Sequence, residues 1–83
     1  MWQRIEEADG KSYLQHTFTF KNFNEAFAFM TRVALLSEKM DHHPEWTNVY
    51  NTVKIKLSTH SMGDVITEKD ELLAAKIGKL LQQ

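Results

Sequence analysis

Apolar and polar positions alternate along two stretches of the chain and recur at helical spacing along two others. Between Tyr13 and Phe20, Leu14, His16, Phe18 and Phe20 share one face while Tyr13, Gln15, Thr17 and Thr19 share the other. Period two in aromatic and β-branched residues predicts a strand. Residues 1–7 precede it, with Trp2 and Ile5 as their main apolar members, and Asp9-Gly10 lies between. Asp and Gly tolerate positive φ and so close tight turns, which makes 1–7 and 12–20 an antiparallel hairpin. Asn22, with Glu25 three residues on, resembles a capping box and opens a helix to about Lys39. Phe23, Ala26, Phe27, Met30, Val33 and Ala34 form its apolar stripe, and Phe29, Leu35 and Leu36 fall outside it. A helix apolar on more than one side usually has a second partner, and in so small a domain another subunit is expected.

Pro44 ends the helical pattern and biases His43 to an extended conformation. From Trp46 to Ser58 the chain alternates again, with Val49, Asn51, Val53, Ile55 and Leu57 on one face and Tyr50, Thr52, Lys54, Lys56 and Ser58 on the other. This predicts one long strand whose lysine face is wet or at an edge. A loop around Gly63-Asp64 follows, and Thr67 to Asp70 is a capping box in the T-x-x-D form. It starts a helix through Leu72, Leu73, Ile77, Leu80 and Leu81. The order β-β-α-β-α implies an α+β fold, a small two-layer sandwich with an antiparallel sheet and both helices packed on one face.

With 83 residues the chain is expected to form one domain, 1–83. A domain of this size buries only about 60% of its unfolded surface and often gains stability by oligomerising. The 42% hydrophobic and 25% charged fractions suit a globular protein. The formal net charge of −1, with Lys and Arg scattered, gives no footprint for nucleic acid or an anionic membrane. With no cysteine, disulfides and thiolate metal ligands are excluded. No run is long and apolar enough to span a membrane, and no export pattern opens the chain at Met1, so a cytoplasmic location is expected.

The chemistry concentrates in Glu38-Lys-Met-Asp-His-His-Pro-Glu-Trp46, with Thr59-His60 at the far end of the second alternating stretch. Neighbouring side chains in extended chain point apart, so His42 and His43 seldom reach one ion, and a native metal site is not expected. Imidazoles give and take protons near neutrality, so two or three facing one pocket, with Glu38 or Asp41 orienting a ring, suit a proton-shuffling reaction such as dehydration. The alternative for each histidine is a satisfied loop or strand-end residue. Pro44 and Trp46 suit a flat heteroaromatic ligand, or equally the packing at a strand's start. Asp70 has its own structural role in closing the capping box. A straight strand of about twelve residues at roughly 3.3 Å each spans about 40 Å, so the His42/His43 pair and His60 meet only if its ends bend back or another element carries one inward.

The run E-K-x-D-H-H-P-x-W from Glu38, continuing through Val49-Tyr-Asn51 to Val53-x-Ile-x-Leu-Ser-Thr-His60, resembles the signature of the pterin-4a-carbinolamine dehydratases. The passage from Phe18 through Phe23, Phe27 and Met30 to Ala34 is similar to the family's strand-to-helix segment, and the resemblance extends from about Trp2 to the last helix. It implies an enzyme that removes water from a 4a-hydroxytetrahydropterin to give the quinonoid dihydropterin, in tetrahydropterin recycling after aromatic amino acid hydroxylation. It also implies a pterin substrate, no cofactor, and a homodimer or homotetramer with helices at the contacts. By position, His42 and His60 match the family's acid–base histidines and His43 the one that positions the pterin. Glu38, Asp41, Pro44 and Trp46 match the pocket frame, and Asp70 its pocket aspartate. The loop from Ser61 to Ile66 is one residue longer than the family's usual G-G-L-T-x-x-D pattern allows. Some relatives serve as dimerisation cofactors of a homeodomain transcription factor; the altered loop before Asp70 and the apolar helix face make a non-catalytic binding or dimerisation role for the same fold the alternative.

Overall fold

The computed structural model describes residues 1–82. Strands β1 (Gln3–Glu6) and β2 (Ser12–Thr19) precede helix α1 (Phe23–Met40); β3 (Glu45–Val49), β4 (Thr52–Leu57) and helix α2 (Glu68–Lys79) follow. A single 3₁₀ turn, His60–Met62, lies between β4 and α2. The four strands form one antiparallel sheet in the order β1-β2-β4-β3.

The first hairpin closes as Asp9-Gly10 predicts. Gly10 has φ 91°, the Asp9 carboxylate accepts from the Lys11 N–H, and Glu6 pairs with Ser12. The predicted strand 46–58 is instead a second hairpin. Val49 pairs with Thr52 across Tyr50-Asn51, and Tyr50 takes a φ of 49°. The turn is held from both sides. The Asn48 amide donates to the Tyr50 and Thr52 carbonyls at 3.1 and 3.0 Å, and the Asn51 amide donates to the Phe20 carbonyl at 2.8 Å. Alternation continues through the turn, so pattern alone gave no break between the two strands. Because β4 is an interior strand, its lysines lie on the wet face and not at an edge.

The core forms on one face of this sheet. Leu14 and Phe18 of β2 and Val53, Ile55 and Leu57 of β4 are buried against Ala26, Phe29 and Val33 of α1 and Leu73, Ala74 and Ile77 of α2. Both helices therefore cover the same face, as expected for the α+β class. The stripe on α1 differs from the predicted one. Phe29 and Leu36 turn inward with Ala26 and Val33, whereas Phe23, Phe27 and Leu35 are exposed. Both sides of this helix are apolar, so sequence periodicity alone could not say which one the sheet would bury. The Phe23 and Phe27 rings stack on each other at 5.6 Å on the outer side. Asn22 caps α1 by accepting from Glu25 N at 2.9 Å, while the Glu25 carboxylate reaches Lys21 N at 3.3 Å rather than Asn22. No helix among the described residues is long and apolar enough to cross a membrane.

Candidate active site

Helix α1 ends in a reversal that sorts the two adjacent histidines. Asp41 adopts a left-handed conformation (φ 52°, ψ 43°), and the His42 N–H reaches back to the Ser37 carbonyl at 3.0 Å. Asp is among the few residues that enter this region readily, and the resulting loop satisfies the last carbonyls of the helix. Beyond it the chain is extended up to Pro44, so His42 and His43 point opposite ways. His42 turns inward and is 8% exposed; His43 turns outward.

Inside, the His42 Nε2 lies 2.6 Å from Oδ1 of Asp70, which is completely buried. The other Asp70 oxygen accepts from the Thr59 hydroxyl at 2.7 Å and from Thr67 N at 2.9 Å, the second being half of the predicted capping box. Thr59 and Thr67 hydroxyls are 2.6 Å apart. Thr59 commits its only proton to Asp70, so Thr67 is the donor between them. Asp70 thus ties the start of α2, the end of β4 and the loop after α1 into one buried polar knot. Such networks fix a local geometry when every member is satisfied.

Outside, two imidazoles face solvent, each held by a carboxylate. His43 Nε2 is 2.8 Å from Glu38 Oε1, and His60 Nδ1 is 2.8 Å from Asp64 Oδ1. An ionised carboxylate only accepts, so the facing ring nitrogen carries the proton in both pairs. In the neutral rings the lone pair then sits on Nδ1 of His43 and Nε2 of His60. Both histidines line one open cavity of about 450 Å³. The outer face of the sheet contributes Tyr13, Lys56 and Ser58, the β1–β2 turn contributes Glu7 and Lys11, the start of β2 contributes Ser12, and Pro44, Glu45 and Asp64 complete it. The Lys56 ammonium sits 4.8 Å above the Tyr13 ring and 3.9 Å from the Glu45 carboxylate.

The hairpin at Tyr50-Asn51 answers the 40 Å problem. It places Glu45 opposite Lys56, so the segment before β3 and the segment after β4 emerge at one end of the sheet. Of the residues singled out from sequence, His43, Pro44 and His60 line the cavity. Glu38 is drawn in through His43, while His42 and Asp70 lie behind the cavity in the buried knot. Because His42 precedes His43 and Thr59 precedes His60, that knot sets the spacing of the two outward rings. Two residues lie elsewhere. Asp41 serves the left-handed helix end, and its carboxylate makes no hydrogen bond among the described residues. Trp46 faces the core opposite Ile55, because strand parity sends its neighbour Glu45 toward the cavity; apart from that it only edges a depression of about 140 Å³ whose other lining residues, Glu45, Thr47, Lys54 and Lys56, lie on the outer face. His16 packs between Trp2 and Phe18 in the sheet and takes no part.

Tyr13, Lys56, Lys11 and Asp64 were not anticipated. Parity already put Tyr13 and Lys56 on the polar face, but only the β2–β4 register brings them together. Among the described residues, no group of three or more His, Asp or Glu side chains is placed to hold a metal ion.

The family model for pterin 4 alpha carbinolamine dehydratase matches residues 1–80. A protein of Afipia carboxidovorans, whose name assigns it provisionally to pterin-4-alpha-carbinolamine dehydratase, is 58% identical over 74 residues, 89% of this chain and 73% of that protein. One from Nitrobacter winogradskyi with the same provisional name is 54% identical over 82 residues, 99% of this chain and 77% of the relative. Among solved structures, a transcriptional coactivator/pterin dehydratase from Brucella melitensis superposes with a TM-score of 0.84 at 45% identity, covering 94% of this chain and 79% of the other. A pterin dehydratase-like protein identified as a RuBisCO assembly factor in the alpha-carboxysome gives 0.78 at 25% identity, covering 95% of this chain and 87% of that one.

Proposed function

The chain belongs to the pterin-4-alpha-carbinolamine dehydratase family, and the relatives described above carry the name of a dehydratase, which is a hydro-lyase; on that premise we propose that it dehydrates a 4a-hydroxytetrahydropterin by proton transfer through His43 and His60. The observation that carries this reading is the pair of outward imidazoles on one cavity, each oriented by its own carboxylate. A cavity of about 450 Å³ falls in the range that holds a small heteroaromatic ligand, and its mixed polar lining suits the donors and acceptors of a pterin.

The reaction breaks the C4a–O bond and removes the proton on N5, leaving a C4a=N5 double bond and water. One imidazole, protonated, delivers its proton to the departing hydroxyl; the other, neutral, takes the N5 proton. The first ring ends neutral and the second protonated, so the cycle closes by proton exchange with solvent at the open cavity mouth. No covalent intermediate, metal or cofactor enters. In this reading His42, which the family resemblance pairs with His60 as acid and base, supports the site from the buried side, and His43 takes the exposed role. Asp70 works through His42 and Thr59, and Pro44 provides an apolar edge to the ring. The natural role would be recycling of an oxidised tetrahydropterin in the cytoplasm.

Soaking with a stable dihydropterin that lacks the 4a-hydroxyl tests the assignment. The ring system should lie in the cavity with its N5 edge toward His43 and His60. Binding elsewhere, or none at saturating ligand, would remove the basis for it.

A second reading, a binding protein on the same fold, is favoured by the exposed Phe23, Phe27 and Leu35 on α1. A second copy of the chain covering that face, giving a homodimer or homotetramer, accounts for the same residues and is compatible with catalysis. A non-catalytic partner role is distinguished by capture that survives loss of both His43 and His60.

A further inference from the structure

We infer that Asp64 is the positioning residue of His60, fixing the ring tautomer that presents Nε2 to the cavity; the inference rests on the dehydratase reading for its catalytic consequence but not for its geometry. Asp64 lies in the 61–66 segment, where the chain departs from the family's loop pattern. Its backbone is left-handed at φ 60°, directly after Gly63 at φ 89°, so the chain doubles back beneath the 3₁₀ turn that carries His60. Oδ1 of its carboxylate then meets His60 Nδ1 at 2.8 Å.

Three contacts keep Asp64 in that posture. Its own N–H donates to the Thr59 carbonyl at 3.1 Å, and its carbonyl accepts from Ser12 N at 3.0 Å. The Ser12 hydroxyl in turn accepts from Ile66 N at 2.9 Å, clamping the loop to the start of β2. The second carboxylate oxygen faces the Lys11 ammonium at 4.0 Å. Asp64 is therefore anchored to β2, to the β1–β2 turn and to the end of β4, while the His60 side chain is 95% exposed and packs against little. An imidazole so exposed has no packing to choose its orientation or tautomer, and the hydrogen bond to a fixed acceptor supplies that choice. The carboxylate holds the proton on Nδ1, so the lone pair lies on Nε2, which makes no hydrogen bond among the described residues. Free imidazole side chains favour the opposite tautomer, with the proton on Nε2. Orienting partners of this kind elsewhere change the function of the histidine they hold by roughly 10-fold or more.

The discriminating substitution is Asp64→Gly, because glycine accepts the left-handed backbone without strain and leaves only the carboxylate missing. Long-range ¹H–¹⁵N spectra of the imidazole nitrogens, recorded where the rings are neutral, should show His60 protonated mainly on Nδ1 in the unmodified protein. In Asp64→Gly the Nε2–H form should dominate. Asp64→Asn also tolerates this backbone and keeps an acceptor oxygen without the charge, so it should fall between the two. In the dehydration assay, kcat should fall by roughly 10-fold in Asp64→Gly with KM changed less than twofold. Unchanged tautomer populations in Asp64→Gly overturn the inference, as does a shifted tautomer with unchanged kcat in an active protein. An unmodified protein without dehydratase activity whose tautomer still depends on Asp64 contradicts the reaction assigned above and leaves the positioning intact.

Discussion

His43→Ala and His60→Ala are each expected to lower the rate of 4a-hydroxytetrahydropterin dehydration by about 10²–10⁴-fold, the usual contribution of a positioned general acid or base. Together they bring the rate close to that of buffer. The loss is expected in kcat more than in KM, because the rings act on protons in transit while the remaining cavity still holds the ligand. It should also come without loss of fold. The two side chains are 56% and 95% exposed, and among the described residues they hydrogen-bond only to Glu38 and Asp64, which are free to rehydrate. Truncation there opens no void and strands no buried polar atom, so melting temperatures should stay within a few degrees of the unmodified protein. Steady-state kinetics beside thermal melts check both halves. If either single variant keeps the full rate, that histidine has no part in proton transfer.

Asp70→Ala should do the reverse, taking the fold away first. Asp70 is completely buried and receives hydrogen bonds from His42, Thr59 and Thr67 N, so its removal strands two buried donors and a half-buried one at once. Leaving buried polar groups without partners costs about 1–3 kcal/mol each, so about 3–5 kcal/mol for this knot, against a total stability of roughly 5–15 kcal/mol for a domain. In a chain this short, that corresponds to a fall in melting temperature on the order of 20 °C. Asp70→Asn keeps an acceptor for Thr59 or Thr67 but turns an N–H toward His42, and should lose less. A melting temperature for Asp70→Ala within about 5 °C of the unmodified protein would mean that the knot is not what joins α2 to the loop after α1. The contrast between the two sets of variants separates residues that face the cavity from residues that hold them there.

How far the sequence reached depended on whether the deciding physics was local. Caps and the Asp9-Gly10 turn are local, and Asn22, Thr67 with Asp70, and Gly10 all behave as their chemistry dictates. The opposite directions of His42 and His43 are local too, since adjacent residues of extended chain diverge. The break at Tyr50-Asn51 was hidden because neither a glycine nor a proline marks it and the alternation runs on across it. What makes the turn is a set of side-chain hydrogen bonds from Asn48 and Asn51, the latter to Phe20, which is distant in sequence. The choice of stripe on α1 was likewise non-local. Phe29 and Phe23 are equally apolar, and only the sheet decides that one is buried and the other exposed.

The same distinction runs through the candidate site. The dense motif Glu38–Trp46 lies at the end of the sheet where the cavity opens. Which members face the cavity was decided by the Asp41 reversal and by strand parity, which send His43 and Pro44 to it, His42 to Asp70, and Trp46 to the core. Asp70 closes the expected helix cap with one oxygen, while the other meets His42 behind the cavity, so it does not line the pocket as the family resemblance implies. Tyr13, Lys56 and Asp64 reach the cavity through register and loop docking, neither of which leaves a signal in residue spacing.

Stopped-flow decay of a freshly generated 4a-hydroxytetrahydropterin, with and without the purified protein, tests whether this cavity performs a dehydration. Catalysed loss of water, first order in protein and saturating in substrate, is the predicted result. A decay indistinguishable from the buffer-catalysed rate, at protein concentrations in excess of the pterin, would contradict it.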